Sequence, residues 1–464
     1  MNKEKKMNNE FNYIDCTMKC PNLGRCKGEY CALNTVFDEV KKEAPDSVRA
    51  QYIEILSAIK EGKNIFITAS AGCGKSFLLN SIKRNIPKLT VTASTGIAAL
   101  NIGGVTLHSA LGVGLANKPV QYTVQNLSKA KIDEIRKINF LAIDEISMIS
   151  GRLLNYCNEF LKMVNNNSQP FGGVQVILIG DFCQLPPVKT SNIKDYDFAF
   201  LSKTWQELEL ETFRLTHNFR QQDDNKLTDI LEHFRNGKVT SSDIEILKSR
   251  EIEPPDSAPR LFPVNVQVDG YNNERLKKEN NKIYTNEATF RCLSEKIAPF
   301  KDVVNKYIDN MRKNSITPDK LYLCKGARIM LTRNIDKDMV NGSLGYVKEI
   351  QGDDKEITKL VVRLDNNIEK EISKVAQELF DAKGEPLISM EQYPCKLAYS
   401  ASVHKMQGQT LSECFIDFER FFEVNQAYVA LSRVKTLQGL YVKNLRKEVI
   451  KHSQQVIDFQ STLD

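Results

Sequence analysis

The stretch NIFITASAGCGKSFLLNSIKRNI, residues Asn64 to Ile86, decides the fold. An apolar run runs into a glycine-bearing turn, and a helix-like segment follows at once. In ASAGCGKS, Ala69 to Ser76, the turn amides and the helix N-terminus form a site suited to phosphate oxygens. Gly72, Cys73, Gly74, Lys75, Ser76 and Phe77 are the candidate cradle. Lys75 is placed to reach β- and γ-phosphates and the Ser76 hydroxyl to ligate Mg²⁺. Ala69 stands where G-x-x-x-x-G-K-[ST] has its first glycine. Alanine is acceptable there with negative φ, while Gly72 and Gly74 keep the freedom needed near the phosphates. The competing reading is a β–α turn that binds nothing; the strand before and the helix after favour the phosphate site.

Working outward, SVRAQYIEILSAIKEG sets Tyr52, Ile55, Leu56 and Ile59 on one helical face. KLTVTAS, INFLAIDE and VQVILIGD are further short apolar strands separated by helices or loops. That alternation predicts a parallel sheet covered on both faces. INFLAIDE ends in Asp144 and Glu145. A carboxylate at the tip of a buried strand can hold Mg²⁺, and its neighbour can take a proton from an attacking water. Together with the phosphate turn, the pair points to nucleotide hydrolysis.

The chain divides into residues 1–44, Cys-rich; 45–205, a first α/β domain with an insertion near 111–135; 206–330, the start of a second; 331–394, a β insertion; and 395–464, the end of the second. EPPDSAPR, near residue 253, has the composition of a linker or surface turn. ARIMLTRN, LGYVKEI, LVVRLDNN and IEKEIS are short, alternating and bounded by turn signals, the pattern of an antiparallel β module.

Four longer strings narrow the class: TASTGIAALNIGGVTLHS from Thr92, FGGVQVILIGDFCQLPPV from Phe171, RLTHNFRQ from Arg214, and KLAYSASVHKMQGQTLSECFIDFERFFEVNQAYVALSRV from Lys396. In order and spacing they resemble the motifs of the Pif-type (petite integration frequency) DNA helicases, a superfamily 1B group related to the RecD-like helicases. The resemblance runs from about Val48 to Val442. It implies two RecA-like P-loop NTPase domains with parallel sheets, an SH3-like insertion in the second, and 5′-to-3′ travel on DNA driven by ATP, in replication, repair, recombination or telomere maintenance. Gln51 falls at the adenine-recognising position, and its amide carries both a donor and an acceptor. Gln184 falls where the family senses the γ-phosphate; Arg220 and Arg433 resemble arginine fingers from the second motor domain, guanidinium groups suited to a transferring phosphoryl. Thr95, Thr106, His108, His404, Lys405 and Thr410 fall in strand-facing motifs, and their side chains suit phosphate contacts without sequence preference. Phe182 or Tyr428 is a candidate for base stacking, against the commoner role of a core aromatic. The segment near 111–135 takes the place of a strand-splitting wedge. The implied partners are single-stranded and tailed duplex DNA, with the protein a monomer.

The rest of the 464-residue composition is permissive. A net charge of +6, with 41% hydrophobic and 26% charged residues, describes a globular chain that tolerates nucleic acid as a partner. No stretch approaches the roughly 20 apolar residues of a membrane span. MNKEKKMNNE lacks the apolar core of a signal peptide, so the expectation is an intracellular protein of cytoplasm, nucleoid or nucleus. Cys16, Cys20, Cys26 and Cys31 form a C-x₃-C-x₅-C-x₄-C array; a structural Zn²⁺ site, reduced thiols and an iron–sulfur cluster are the three readings. The other seven cysteines are dispersed and read as small apolar fillers. Two rivals to the helicase remain: a binding module with a vestigial phosphate turn, and a duplex translocase that hydrolyses ATP without unwinding.

Overall fold

The computed structural model describes residues 45–463, apart from 87–88, 190–194, 257, 337–338, 340–341, 354 and 381–385. The array Cys16, Cys20, Cys26 and Cys31 lies outside the described residues.

The first sheet is built from β1 (Ile65–Ala69), β2 (Leu89–Ala93), β3 (Val105–Thr106), β4 (Phe140–Asp144), β5 (Gln175–Gly180) and β6 (Glu211–Leu215). All pair in parallel, in the order β3-β2-β4-β5-β1-β6. The period-two pleat sends Phe66, Leu141 and Leu178 into the core under one face, and Ile65, Ile67, Ala142 and Ile177 into the core under the other. A sheet buried twice explains why these strands read as unbroken apolar runs. The helix Asp46–Lys60 closes the second face with Tyr52, Ile55, Leu56 and Ile59, all at most 1% exposed, as their spacing predicted.

β6 moves a boundary. Its residues Ile65↔Glu211 through Ala69↔Leu215 pair with β1, so the first sheet reaches past residue 205 to Leu215. The strand carries only Phe213 and Leu215 as buried side chains, too weak an alternation to read in isolation.

A second sheet begins with β7 (Arg260–Phe262). The chain then leaves it for a β region. There β8 (Tyr284–Glu287) pairs with β10 (Lys320–Leu323), and β9 (Thr289–Cys292) with β16 (Pro386–Gln392), which also holds β15 (Val375–Phe380). β11 (Arg328–Leu331), β12 (Leu344–Gly352), β13 (Ile357–Leu364), β14 (Glu369–Glu371) and β17 (Cys395–Leu397) form an antiparallel sheet, ordered β14-β13-β12-β11-β17. Its inward set, Ile329, Val347, Leu360 and Val362, has its own core. The insertion is therefore wider than 331–394: β9, far upstream, is held by β16 within that span, and β8 is held by β10, itself upstream of residue 331. The chain returns through β18 (Ser400–Ser402), β19 (Cys414–Asp417) and β20 (Leu440–Lys443), giving the parallel order β18-β7-β19-β20. No helix among the described residues is long and apolar enough to cross a membrane.

Candidate nucleotide cleft between two parallel sheets

Parallel strands place all their carboxyl ends on one edge, where ligands of such sheets bind. At that edge lie the turn after β1, the acidic tip of β4, the loop after β5 and the connector after β6. Gly72 and Gly74 adopt φ of +89° and +83°. At Gly72 a Cβ would stand 2.6 Å from the Arg220 Cβ, so both backbone angle and space require glycine. The helix Lys75–Asn85 then starts with its amides aimed into the turn.

A cleft of about 540 Å³ opens there. Gly72, Cys73, Gly74, Lys75, Ser76, Phe77, Asp144, Glu145 and Gln184 line it from the first sheet's side. Gly408, Thr410, Arg433 and Lys435 line it from the second, and Arg220 from the connector between them. Lys75 Nζ donates to the carbonyls of Ala69 (2.8 Å) and Ser70 (3.0 Å), which holds the ammonium beside the turn. Cys73 is buried, with its Sγ 3.1 Å from Ser70 Oγ. Phe77 is partly exposed and stacks on Tyr52.

Asp144 is 7% exposed, and burial, then the neighbouring Glu145 charge, push its carboxyl up to about 7. Two adjacent carboxylates and the Ser76 hydroxyl form a hard oxygen set facing one cleft. That chemistry fits a Mg²⁺ ion, which would relieve the repulsion between the acids. Glu145 itself sits at φ +52°, a left-handed conformation that costs a non-glycine residue backbone strain.

Gln407 was not singled out from the sequence, although it stands within VHKMQGQT. Its Nε2 donates to Glu145 Oε2 (2.9 Å) and lies 3.4 Å from Gln184 Oε1. The Tyr428 hydroxyl accepts the Ala71 amide (3.2 Å) and faces Asp181 Oδ2 (3.5 Å). Asp181 pairs with Arg235 (3.2 Å), both buried. Nothing in the strings marked that pair, since its members lie 54 positions apart in sequence.

The two arginines differ. Arg220 follows β6 by five residues and so belongs to the connector, not to the second sheet; its Nη1 donates to Ser432 O at 2.8 Å across the cleft. Arg433 is 1% exposed and donates to the carbonyls of Val429 (2.7 Å), Met406 (3.2 Å) and Gln409 (3.3 Å) and to Ser432 Oγ (2.7 Å). Burial, then the nearby Arg220, lower its pKa to about 9.

The remaining candidates are placed as follows. Gln51 lies outside the cleft lining and donates its amide to the Arg214 carbonyl. Thr410 lines the nucleotide cleft, away from the strand-facing group it was placed with. Phe182 (0% exposed) and Tyr428 (2%) are core residues with no face for a base. Thr95 and Thr106 each accept an amide, from Ala98 and Ser109, at the start of a short helix. His108 and His404 are half-buried, and burial lowers the pKa of both imidazoles. Lys405 lines a separate groove between the second sheet and the β region, as does Lys396, which sequence reasoning passed over. The Asp269 carboxylate shares this groove and acts on Lys396 against the effects of burial and of Lys405. Near 111–135 the helix Val120–Asn126 packs on the helix Gly151–Asn165, the helix Lys129–Ile135 follows it, and Leu115 is 83% exposed.

A family model described as PIF1-like helicase matches residues 46–245. The ATP-dependent DNA helicase Pif1 of Bdellovibrio bacteriovorus is 34% identical over 394 residues, covering 83% of this chain and 85% of that protein. The ATP-dependent DNA helicase PIF1 of Danio rerio is also 34% identical, over 88% of this chain but 63% of its own length. The crystal structure of Pif1 helicase from Candida albicans superposes with a TM-score of 0.79 at 33% identity, covering 89% of this chain and 99% of that one. A Bacteroides Pif1 in complex with ADP-AlF3 and single-stranded DNA gives 0.67 at 28% identity, with 89% and 96% covered.

Proposed function

The chain belongs to the PIF1-like helicase family, and from that premise we propose that it is an ATP-dependent DNA helicase that moves 5′ to 3′ on single-stranded DNA. One observation carries the reading: residues of both parallel sheets and of their connector line a single cleft beside the phosphate turn.

In this reading Gly72 to Ser76 cradle the phosphates, and Lys75 leaves its carbonyl partners for the β- and γ-oxygens. Ser76 and Asp144 would hold Mg²⁺, which supplies Lewis-acid neutralisation of phosphate charge when bound. Glu145 accepts a proton from water as its oxygen forms the bond to the γ-phosphorus; the bridging P–O bond breaks and its electrons leave with ADP. Gln184, Arg220 and Arg433 face the charge that develops. The catalytic set is thus Lys75, Glu145, Gln184, Arg220 and Arg433. Closure of the second sheet on ATP and its release after hydrolysis let the two lobes grip a strand in turn.

The groove holding Lys396 and Lys405 supports a strand path with phosphate contacts; Thr95, Thr106, His108 and His404 are the further contacts we assign from their motifs. Gln51 spends one amide N–H on the Arg214 carbonyl, which leaves its second N–H and its oxygen for an adenine edge. We read the protein as intracellular and monomeric, acting in replication, repair, recombination or telomere maintenance. The Bdellovibrio, Danio and Candida relatives are named ATP-dependent DNA helicases or Pif1 helicases, and one solved structure is titled for DNA unwinding at forked duplex by two coordinating Pif1 helicases. Zinc at Cys16, Cys20, Cys26 and Cys31 is a proposal from spacing. Plasma emission on gently purified protein should find about one zinc per chain, and metal-free protein removes the idea.

Strand displacement on 5′-tailed against 3′-tailed duplexes tests the whole. Displacement of the 5′-tailed duplex alone is expected, and Lys75→Ala should abolish turnover while single-strand binding persists. ATP turnover without displacement would leave a translocase; strand binding without turnover would leave a vestigial module.

A further inference from the structure

Gln407 sits where the second sheet's Val403–Met406 turn ends, 6% exposed, against the first sheet's acidic tip. Its Nε2 donates to Glu145 Oε2 at 2.9 Å and has Gln184 Oε1 at 3.4 Å. A carboxylate offers only acceptors, so the Nε2 side of the Gln407 amide is the one that faces it. Gln407 Oε1 is buried with no donor among the described residues.

Two residues earlier, Lys405 lines the basic groove with Lys396. One residue later, Gly408 lines the nucleotide cleft. A single short turn therefore borders the groove at one end and the cleft at the other, and between them sends an amide to the carboxylate that must take the water proton. Arg433 ties the same turn down by donating to Met406 O and Gln409 O, on either side of Gln407.

We propose that Gln407 is a positioning residue that holds the Glu145 carboxylate in its proton-accepting orientation and couples it to the Lys405 side of the turn, so that a DNA strand in the groove sets the base for hydrolysis. This rests on the reading of Glu145 as the base. A strand phosphate drawn to Lys405 shifts the turn. The shift is transmitted through the rigid peptide geometry of Met406 to the Gln407 amide. Without the strand the amide still reaches Glu145, but the turn lacks that pull and turnover is slow.

The test is steady-state ATP turnover with and without a saturating oligothymidylate, in full-length wild type, Gln407→Ala, Gln407→Met and Glu145→Gln. Gln407→Met keeps the side-chain volume, so it covers the case in which the alanine variant fails to fold. In both Gln407 variants kcat with DNA should fall about 30-fold, while KM for ATP and Kd for the oligonucleotide stay within about threefold. DNA-free turnover should fall less, so the stimulation ratio collapses; a purely structural role would lower both turnovers and both affinities together. If Gln407 acts through Glu145, adding Gln407→Ala to Glu145→Gln should cost no more than about twofold beyond the single change. Wild-type stimulation in Gln407→Met, or full additivity of the pair, overturns the proposal. Should Glu145→Gln itself turn over normally, the failure lies with the base assignment instead.

Discussion

The hydroxyl of Tyr428, on the second sheet's helix Gln426–Leu431, accepts the backbone amide of Ala71 in the phosphate turn at 3.2 Å. The turn is thereby anchored by a residue 357 positions away, which is itself buried beside the Asp181–Arg235 pair. Tyr428→Phe removes only the oxygen and leaves Ala71 N–H and an Asp181 oxygen short of a partner. The expected loss is about 1–2 kcal/mol of unfolding free energy. Turnover should fall several-fold with KM for ATP little altered; denaturant melts and ATPase assays check both. An unchanged kcat would mean the anchor serves stability alone.

Arg433 holds three carbonyls and a hydroxyl while lining the cleft. Arg433→Ala strands those carbonyls in a dry environment, so a loss of roughly 3 kcal/mol is expected beside the loss of hydrolysis. Arg433→Lys should rescue little of either, because one ammonium cannot span the donor fork of a guanidinium. Nucleotide affinity, followed by a fluorescent ATP analogue, should change less than kcat. Full activity in the lysine variant would contradict the bidentate role.

Lys396 provides a pH signature. Burial, then Lys405 alongside, lower its pKa from 10.5 to about 8. The free protein thus disfavours the ammonium form, whereas a strand phosphate favours it. Strand binding should take up a proton above pH 8, and affinity should drop as pH rises through that value. For folding the sign is set by the unfolded chain, which binds more protons between the two pKa values; this group's contribution to stability therefore rises with pH across that window and is lost as pH falls through 8. Fluorescence anisotropy from pH 7 to 9.5 measures the first effect. In Lys396→Met the proton uptake should vanish and the salt slope should fall by about one counterion. Identical pH curves for the two proteins would detach Lys396 from the DNA path.

Gly72 is held at φ +89° with Arg220 directly over it. Gly72→Ala should cost about 1–3 kcal/mol in backbone strain and displace Arg220 from Ser432 O. ATP turnover should fall by more than tenfold even where thermal unfolding shows a folded protein, the direct clash being local. An alanine variant with wild-type turnover would show that the connector can move aside at no cost.

Much of this was legible from local chemistry. Strand, glycine turn and helix are consecutive, so Gly72 to Ser76 and the Asp144–Glu145 tip could be read from Asn64–Ile86 and INFLAIDE alone, and the buried face of Asp46–Lys60 from its spacing. Such features depend on neighbours within a few residues, where periodicity and backbone geometry dominate. The order of the strands, the inclusion of Glu211–Leu215 in the first sheet and the capture of Tyr284–Cys292 by later strands were decided by pairing over long sequence distances. The same holds for the fine assignment of roles. Thr410 faces the cleft, Tyr428 anchors the phosphate turn, and Gln407 touches Glu145 from 262 positions away. A hydrogen bond needs two groups within about 3 Å, and no pattern in one segment records which distant segment will supply the second. The residue types that do the chemistry were therefore determined by sequence, and their partners by the packing of the two sheets against each other.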